Sequence, residues 1–307
     1  MNNYDLASRK GALDWLRENY PPISGGLYVE GDDPALEWLS RYCYEVFVKK
    51  SGGRYAELEA GLESFAHMSF DFLRLQSRFL KTGQYELSSA NELLNGLYLN
   101  NERMERYYLD GLLLTYSFWP NHLKLVRFFR DRFLGPLPTR SRFLEIGVGH
   151  GFMSGIVLSH IPKCHYTGLD ISPSSLTYAR KLWVTNDVDH TNAVLAIANA
   201  VEWDPPDNLE ERWDAAICCE VLEHVEKPAK VMKSLRHALK PGARVFITTV
   251  ANVAAEDHIH LFEHADEIRE LCSEAGFIVA DDKVWPLKGF ESAKSLPLNY
   301  AAILFPK

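Results

Sequence analysis

Three glycines, Gly147, Gly149 and Gly151, fall at alternate positions in the stretch FLEIGVGHGF, directly behind an apolar run. One acid, Glu145, sits just before them, and another, Asp170, ends the later run YTGLD. Glycines so spaced let a loop turn sharply and let a ligand approach the backbone with no side chain between. A carboxylate at the end of the next strand can accept both hydroxyls of a ribose. Loop and acid together fit a nucleotide-like ligand, NAD included. The dinucleotide fingerprint, however, needs a third glycine where this chain has Phe152, whose side chain would crowd a pyrophosphate. The ligand expected is an adenosine that carries no pyrophosphate.

Two further clusters could do chemistry. CEVLEHVEKP brings Glu220, Glu223 and His224, and EDHIHLFEHADEI brings Asp257, His258, His260 and His264. Each cluster follows a strand-like run, so both are expected at one rim of a sheet. His258, His260 or His224 is a candidate general base, or orients one. The plainer reading assigns the first cluster to loop geometry, and places His264 in the first turn of the next helix.

The elements that must position these groups change character near residue 138. Residues 1–137 repeat apolar side chains at spacings of three and four, as in PALEWLSRYCYEVFVKK and YAELEAGLESFAHMSFDFLRLQSRFLK, which predicts helices almost throughout, broken by turn residues at NYPPISGGLYVEGDDP and KKSGGR. The acidic run EGDDPALE reads as a solvated loop and helix cap, and GPLPTRSR as a junction. Residues 138–307 alternate strand-like runs with helices: RFLEIGV, HYTGLDIS, NAVLAIANA, WDAAICCEV, ARVFITTV, FIVADDKVW and NYAAILFP are the strands. Ser172 is placed to cap the helix after HYTGLDIS, with Pro173 at its first position. The fold class is therefore α/β, a doubly wound, parallel, Rossmann-like sheet behind a mostly α-helical N-terminal region.

The 307 residues carry a net charge of −8, which counts against a polyanion such as nucleic acid as partner. No apolar run is long enough to span a bilayer, and MNNYDLASRK has no apolar core like that of a signal peptide, so a cytoplasmic protein is expected. Five cysteines show no CxxC spacing and indicate neither a zinc site nor a disulfide framework.

The ordered set FLEIGVGHG, GLDIS, WDAAICCEVLEHVEKP and LKPGARVFITT resembles the motifs of the class I S-adenosylmethionine-dependent methyltransferases over roughly residues 140–307. The resemblance implies a seven-stranded sheet, S-adenosylmethionine as cofactor, and methyl transfer to oxygen or nitrogen of a small-molecule acceptor in biosynthesis. It implies that Gly147, Gly149 and Gly151 approach the methionyl part of the cofactor while Glu145 meets its α-amino group. Asp170 would take the ribose, with Ile171, Asn199 and Ala200 around the adenine and Glu220 packing against the cofactor. Asn199 stands where the family commonly has aspartate; an amide can both accept and donate there.

Two subfamilies with an ExxEH motif and a later histidine hold a divalent cation. Here the ligands would be Glu220, Glu223, His224 and His258, with His260 as substitute, a donor set suited to magnesium, manganese or a harder zinc site. The N-terminal segments of such enzymes often close over the cofactor mouth. On that basis Tyr107, Tyr108, Tyr116 and Trp119 are candidates for an acceptor pocket, although an aromatic stripe at helical spacing also reads as core. The long helical region serves as acceptor lid, as homodimer surface, or both. A metal-assisted RNA 2′-O-methyltransferase is one alternative reading; a non-catalytic binding protein on the same fold is another.

Overall fold

The computed structural model describes residues 4–29, 31, 33–86, 89–135, 137–161 and 163–307. Glu30 and Asp32 of the acidic run, and Pro136 of the junction, lie outside the described residues. The cap expected in that run is Asp33, which accepts from the N–H groups of Ala35 and Leu36 at 3.1 and 3.3 Å and opens helix α2.

The helical region comprises α1 (Arg9–Asn19), α2 (Pro34–Lys50), α3 (Tyr55–Thr82), α4 (Ala90–Leu93), α5 (Asn101–Arg103), α6 (Leu109–Phe118) and α7 (Pro120–Phe128). Three wider π turns interrupt it at Leu94–Tyr98, Met104–Tyr108 and Phe129–Leu134. Such turns concentrate near functional sites, and the first two border the cavity described below.

From Arg142 the chain alternates strand and helix. Strands β1 (Arg142–Ile146), β2 (His165–Asp170), β3 (Ala193–Ile197), β4 (Trp213–Cys219), β5 (Leu239–Ala251), β6 (Phe277–Pro286) and β7 (Leu298–Pro306) form one sheet in the order β3-β2-β1-β4-β5-β7-β6. Helices α8 (Phe152–His160), α9 (Pro173–Thr185), α10 (Pro228–His237) and α11 (Ala265–Glu274) connect them. Ser172 caps α9 by accepting from the Ser175 N–H, with Pro173 at its first position as expected.

The wholly parallel sheet needs correcting at one edge. β7 runs antiparallel to both β5 and β6. No helix lies between β6 and β7, and a parallel return needs a crossover of a dozen or more residues, usually helical.

The pleat divides the core. Phe143, Tyr166, Ala215, Ile217 and Phe246 point to one face and pack in a single cluster with α1–α3 and α6–α9. Leu144, Ile146, Ala216, Cys218 and Ile247 point to the other and meet α10 and α11. The N-terminal helices thus complete one face of the sheet and share its core. Reversal of the strand order beside β1 opens a crevice at the carboxyl ends of β1, β2 and β4, where sheets of this kind bind ligands.

Candidate active site

A cavity of about 460 Å³ fills that crevice. Its floor carries Glu145, Gly147, Gly149, Asp170, Ile171, Asn199, Ala200 and Glu220, eight of the nine positions singled out for the cofactor. Gly151 is the exception, because it packs one helix on another. Its φ is +75°, and a Cβ there would lie 2.5 Å from the Ala179 Cβ on α9. Gly147 does face the cavity, at φ +79°, and a Cβ on it would meet Val221 at 2.4 Å.

The acids differ in how they are held. Asp170 accepts from the N–H groups of Gly149 and Ser172, each at 2.8 Å, so it pins the glycine loop as well as facing the cavity. Burial raises its pKa against the pull of these backbone donors. Glu145 is 2% exposed and accepts from the Tyr166 hydroxyl; burial pushes its pKa up to about 8. Glu220 stands at φ +50°, a left-handed backbone uncommon outside glycine. Its N–H is shared between the carbonyl and hydroxyl of Thr248, each at 3.0 Å, and its Oε1 is buried with no hydrogen-bond partner. Burial, then the neighbouring Glu223, raises its pKa to about 8. Strain of this kind is retained where surrounding structure enforces it, and it clusters at active sites.

Asn199 curls its side chain back to accept from the Val201 N–H at 3.0 Å, leaving its amide nitrogen for a ligand. His150, within the glycine loop, also lines the cavity.

Beside the cavity, behind His224, the two histidine-bearing segments meet. Glu223, His224 and His258 each offer a ligand atom within 4.8 Å of the others. The Nδ1 of His224 lies 2.8 Å from the Asp257 carbonyl, and the Nδ1 of His258 lies 2.7 Å from the Val253 carbonyl. A carbonyl only accepts, so both Nδ1 atoms are protonated, which in a neutral ring leaves the lone pair on Nε2, the arrangement typical of metal-ligating histidines. One oxygen of Glu223 accepts from Thr249 at 2.7 Å; the other is buried without a partner. Glu220 lies outside this trio. His260 rests against Phe262, ring centroids 4.5 Å apart, while its backbone N–H donates to the Glu223 carbonyl. His264 is exposed at the cap position of α11. Of the three histidines proposed as base, only His224 lines the cavity; His258 stands behind it, ring centroids 5.0 Å apart.

The remaining wall is apolar and comes from the helical region: Leu93, Leu94, Tyr98, Met104, Tyr108, Leu112 and Tyr116. Of the four residues expected around an acceptor, Tyr108 and Tyr116 line the cavity, whereas Tyr107 and Trp119 do not. Tyr107 donates to Asp71 on α3 at 3.1 Å, and Trp119 packs on Phe72 and His122. Tyr98 and Tyr108 both donate to Asp257. Burial would raise the Asp257 pKa, yet His224 and His258 beside it, with the Tyr108 hydroxyl, hold it below the usual carboxylate value. Tyr98 and Tyr166 carry no local sequence signal, since only tertiary pairing with Asp257 and Glu145 marks them. His150 could have been found, as the one titratable side chain among the loop glycines.

Residues 144–245 match the family described as "Methyltransferase domain". Among curated proteins, a ubiquinone biosynthesis O-methyltransferase of Xylella fastidiosa is 30% identical over 115 residues, 38% of this chain and 44% of that protein. One from Idiomarina loihiensis is 25% identical over 186 residues, 53% of this chain and 74% of that protein. The chain thus spans less than half the length of the first curated relatives it matches. Among solved structures, phosphoethanolamine N-methyltransferase 2 of Haemonchus contortus, bound to phosphomonomethylethanolamine and S-adenosylhomocysteine, aligns with TM-score 0.51 at 17% identity, over 72% of this chain and 61% of that one. The (4+2)-cyclase SpnF aligns with TM-score 0.50 at 15% identity, over 79% and 96%. At such identities these two likenesses concern the fold.

Proposed function

We propose that this protein, whose residues 144–245 match the methyltransferase-domain family, is a class I S-adenosylmethionine-dependent methyltransferase that transfers a methyl group from S-adenosylmethionine to a hydroxyl oxygen of a small, largely apolar or aromatic acceptor. The observation that carries this reading is the single cavity in which Glu145, Asp170 and Glu220 face a wall of leucine, methionine and tyrosine. S-adenosylmethionine supplies a methyl group already activated on a sulfonium. The chain's own task is then alignment and exclusion of water. Asp170 and Asn199 hold the nucleoside end, Glu145 the ammonium, and Leu93, Leu94, Met104, Tyr108 and Leu112 of the apolar wall seat the acceptor. Oxygen is favoured over nitrogen because the curated relatives are named O-methyltransferases.

Calorimetry with S-adenosylmethionine tests the reading. A dissociation constant between about 1 µM and 1 mM is expected, the range usual for enzyme substrates. No heat at millimolar ligand would sink it.

A second element has its own observation. Glu223, His224 and His258 fit a divalent cation: two imidazoles have their tautomer set by backbone carbonyls, and one carboxylate oxygen is buried without a partner. Such an ion would acidify an acceptor hydroxyl. Without it, His224 is the proton acceptor at the cavity wall.

The cytoplasm as compartment is supported by the five cysteines, all free. No helix among the described residues is long and apolar enough to cross a membrane. Self-association belongs to the proposal through the helical region, where Trp38 and Phe70 are exposed; mass in solution at rising concentration tests it.

A further inference from the structure

S-adenosylmethionine ends in an α-amino acid, and its carboxylate is the one anion on an otherwise cationic ligand. The cavity is badly charged to receive it. Glu145, Asp170, Glu202, Glu220 and Glu226 all line it, and among the described residues the only lysine or arginine to do so is Lys227, itself exposed. With no buried lysine or arginine among the described lining residues, a carboxylate there is left to neutral hydrogen-bond donors.

His150 is built as such a donor. The Phe152 N–H donates to its Nδ1 at 3.1 Å, so Nδ1 bears the lone pair and the ring proton sits on Nε2. No other hydrogen bond to this ring is made by the described residues. The ring is 5% exposed yet lines the cavity, and its edge is packed at 81° on Tyr116, centroids 5.2 Å apart. Burial, then His122 beside it, lowers its pKa to about 3, so it stays neutral at any working pH. Tyr116 lines the same space within electrostatic reach of Glu220 and Glu145, and burial keeps its hydroxyl protonated. A neutral imidazole N–H and a phenol O–H therefore stand together beside the acid that takes the ammonium.

Resting on the S-adenosylmethionine reading, we propose that His150 and Tyr116 form the carboxylate clasp of the site and make it selective for the intact amino-acid end of the ligand. The selectivity is a matter of differential pairing: a donor aimed at a carboxylate is left unmatched by a ligand that lacks one.

The experiment compares binding of S-adenosylmethionine with binding of its decarboxylated analogue, which keeps the sulfonium, the nucleoside and an amine. Calorimetry is run on the unaltered protein and on His150→Leu, His150→Gln, Tyr116→Phe and Lys227→Ala. The unaltered protein is expected to prefer the carboxylate form by about ten- to a hundredfold, the size of one or two hydrogen bonds to a charged group. His150→Leu should remove most of that preference while changing affinity for the analogue by less than about twofold. His150→Gln, which restores an N–H donor, should recover part of it; Tyr116→Phe should lose a smaller share. Equal loss of both ligands in His150→Leu and His150→Gln, with an unchanged thermal midpoint, would overturn the proposal. So would a preference that disappears in Lys227→Ala and survives in His150→Leu. If the unaltered protein binds both forms equally, the clasp is refuted while the methyltransferase reading stands. If it binds neither, the underlying function fails first.

Discussion

Gln76 on α3 holds Asn252, 176 positions away, by donating to its carbonyl at 2.9 Å. The same side chain accepts from the Ala254 N–H at 2.8 Å. Gln76 is fully buried, and Asn252 is held at φ +56°. Between these two contacts lies Val253, whose carbonyl receives the Nδ1–H of His258. A glutamine of the N-terminal helices thus sets the loop on which a candidate ligand of the second half is oriented. Gln76→Leu keeps the volume and leaves a buried C=O and N–H unpaired. It should cost about 1–3 kcal/mol in urea denaturation, and it should weaken divalent-cation binding. The leucine variant at exposed Gln84 is the control expected to change neither.

The trio Glu223, His224 and His258 leads to a direct test. His258→Ala should weaken binding of manganese or zinc by more than about tenfold in calorimetry, by analogy with losses seen when only an outer partner is removed. Tyr107→Phe, away from the cavity, should leave it unchanged. If full activity survives thorough chelation, the ion has no part in turnover.

Asp170 does two things at once. Asp170→Ala removes the ribose acceptor and also frees the N–H groups of Gly149 and Ser172. Cofactor affinity should fall by about 1–3 kcal/mol, with a loss of stability of similar size. Unchanged affinity in calorimetry would mean that the nucleoside lies elsewhere.

Glu145 gives the ligand-free protein a pH dependence. Its pKa is about 8 in the folded chain against an ordinary 4.5. The folded state therefore keeps a proton that the unfolded chain gives up. The stabilising contribution is complete below about pH 4.5 and is lost as pH rises through about 8. Thermal midpoints should decline across that window, and Glu145→Gln should flatten the decline. A cationic ligand favours the ionised form, so binding at pH 7 should release a proton and show a heat that varies with the buffer.

Gly151 should prove a packing residue. Gly151→Ala places a Cβ against Ala179 and holds it at positive φ, which should destabilise by about 2–4 kcal/mol in denaturant titration. Pairing it with Ala179→Gly should recover little, because the added Cβ would still lie 2.7 Å from the Cα of residue 179 and the positive φ remains.

Much of this protein is legible in one dimension. Strand and helix alternate with periods that adjacent residues encode, so β1 to β5, the cap at Ser172 and the loop at Gly147–Gly151 follow from local pattern. The acids of the loop and the ExxEH motif are legible for the same reason: each sits at the end of a strand whose fold-level position is constrained. The antiparallel β7 needed attention to a missing helix, a negative sign that periodicity does not display.

The distant pairings were not legible. Tyr98 and Tyr108 reach Asp257, and Gln76 grips 252–254, across more than 140 positions each. Tyr107 and Tyr108 are neighbours with the same chemistry, and only the way their turn packs sends one hydroxyl to Asp71 and the other to the cavity wall. Local pattern determined the strands, the glycine loop and the strand-end acids, because those depend on near neighbours along the chain. Which tyrosines and histidines face the ligand, and which proton each histidine keeps, was decided only when the helices packed. Those properties belong to contacts between segments, and no spacing within a segment encodes them.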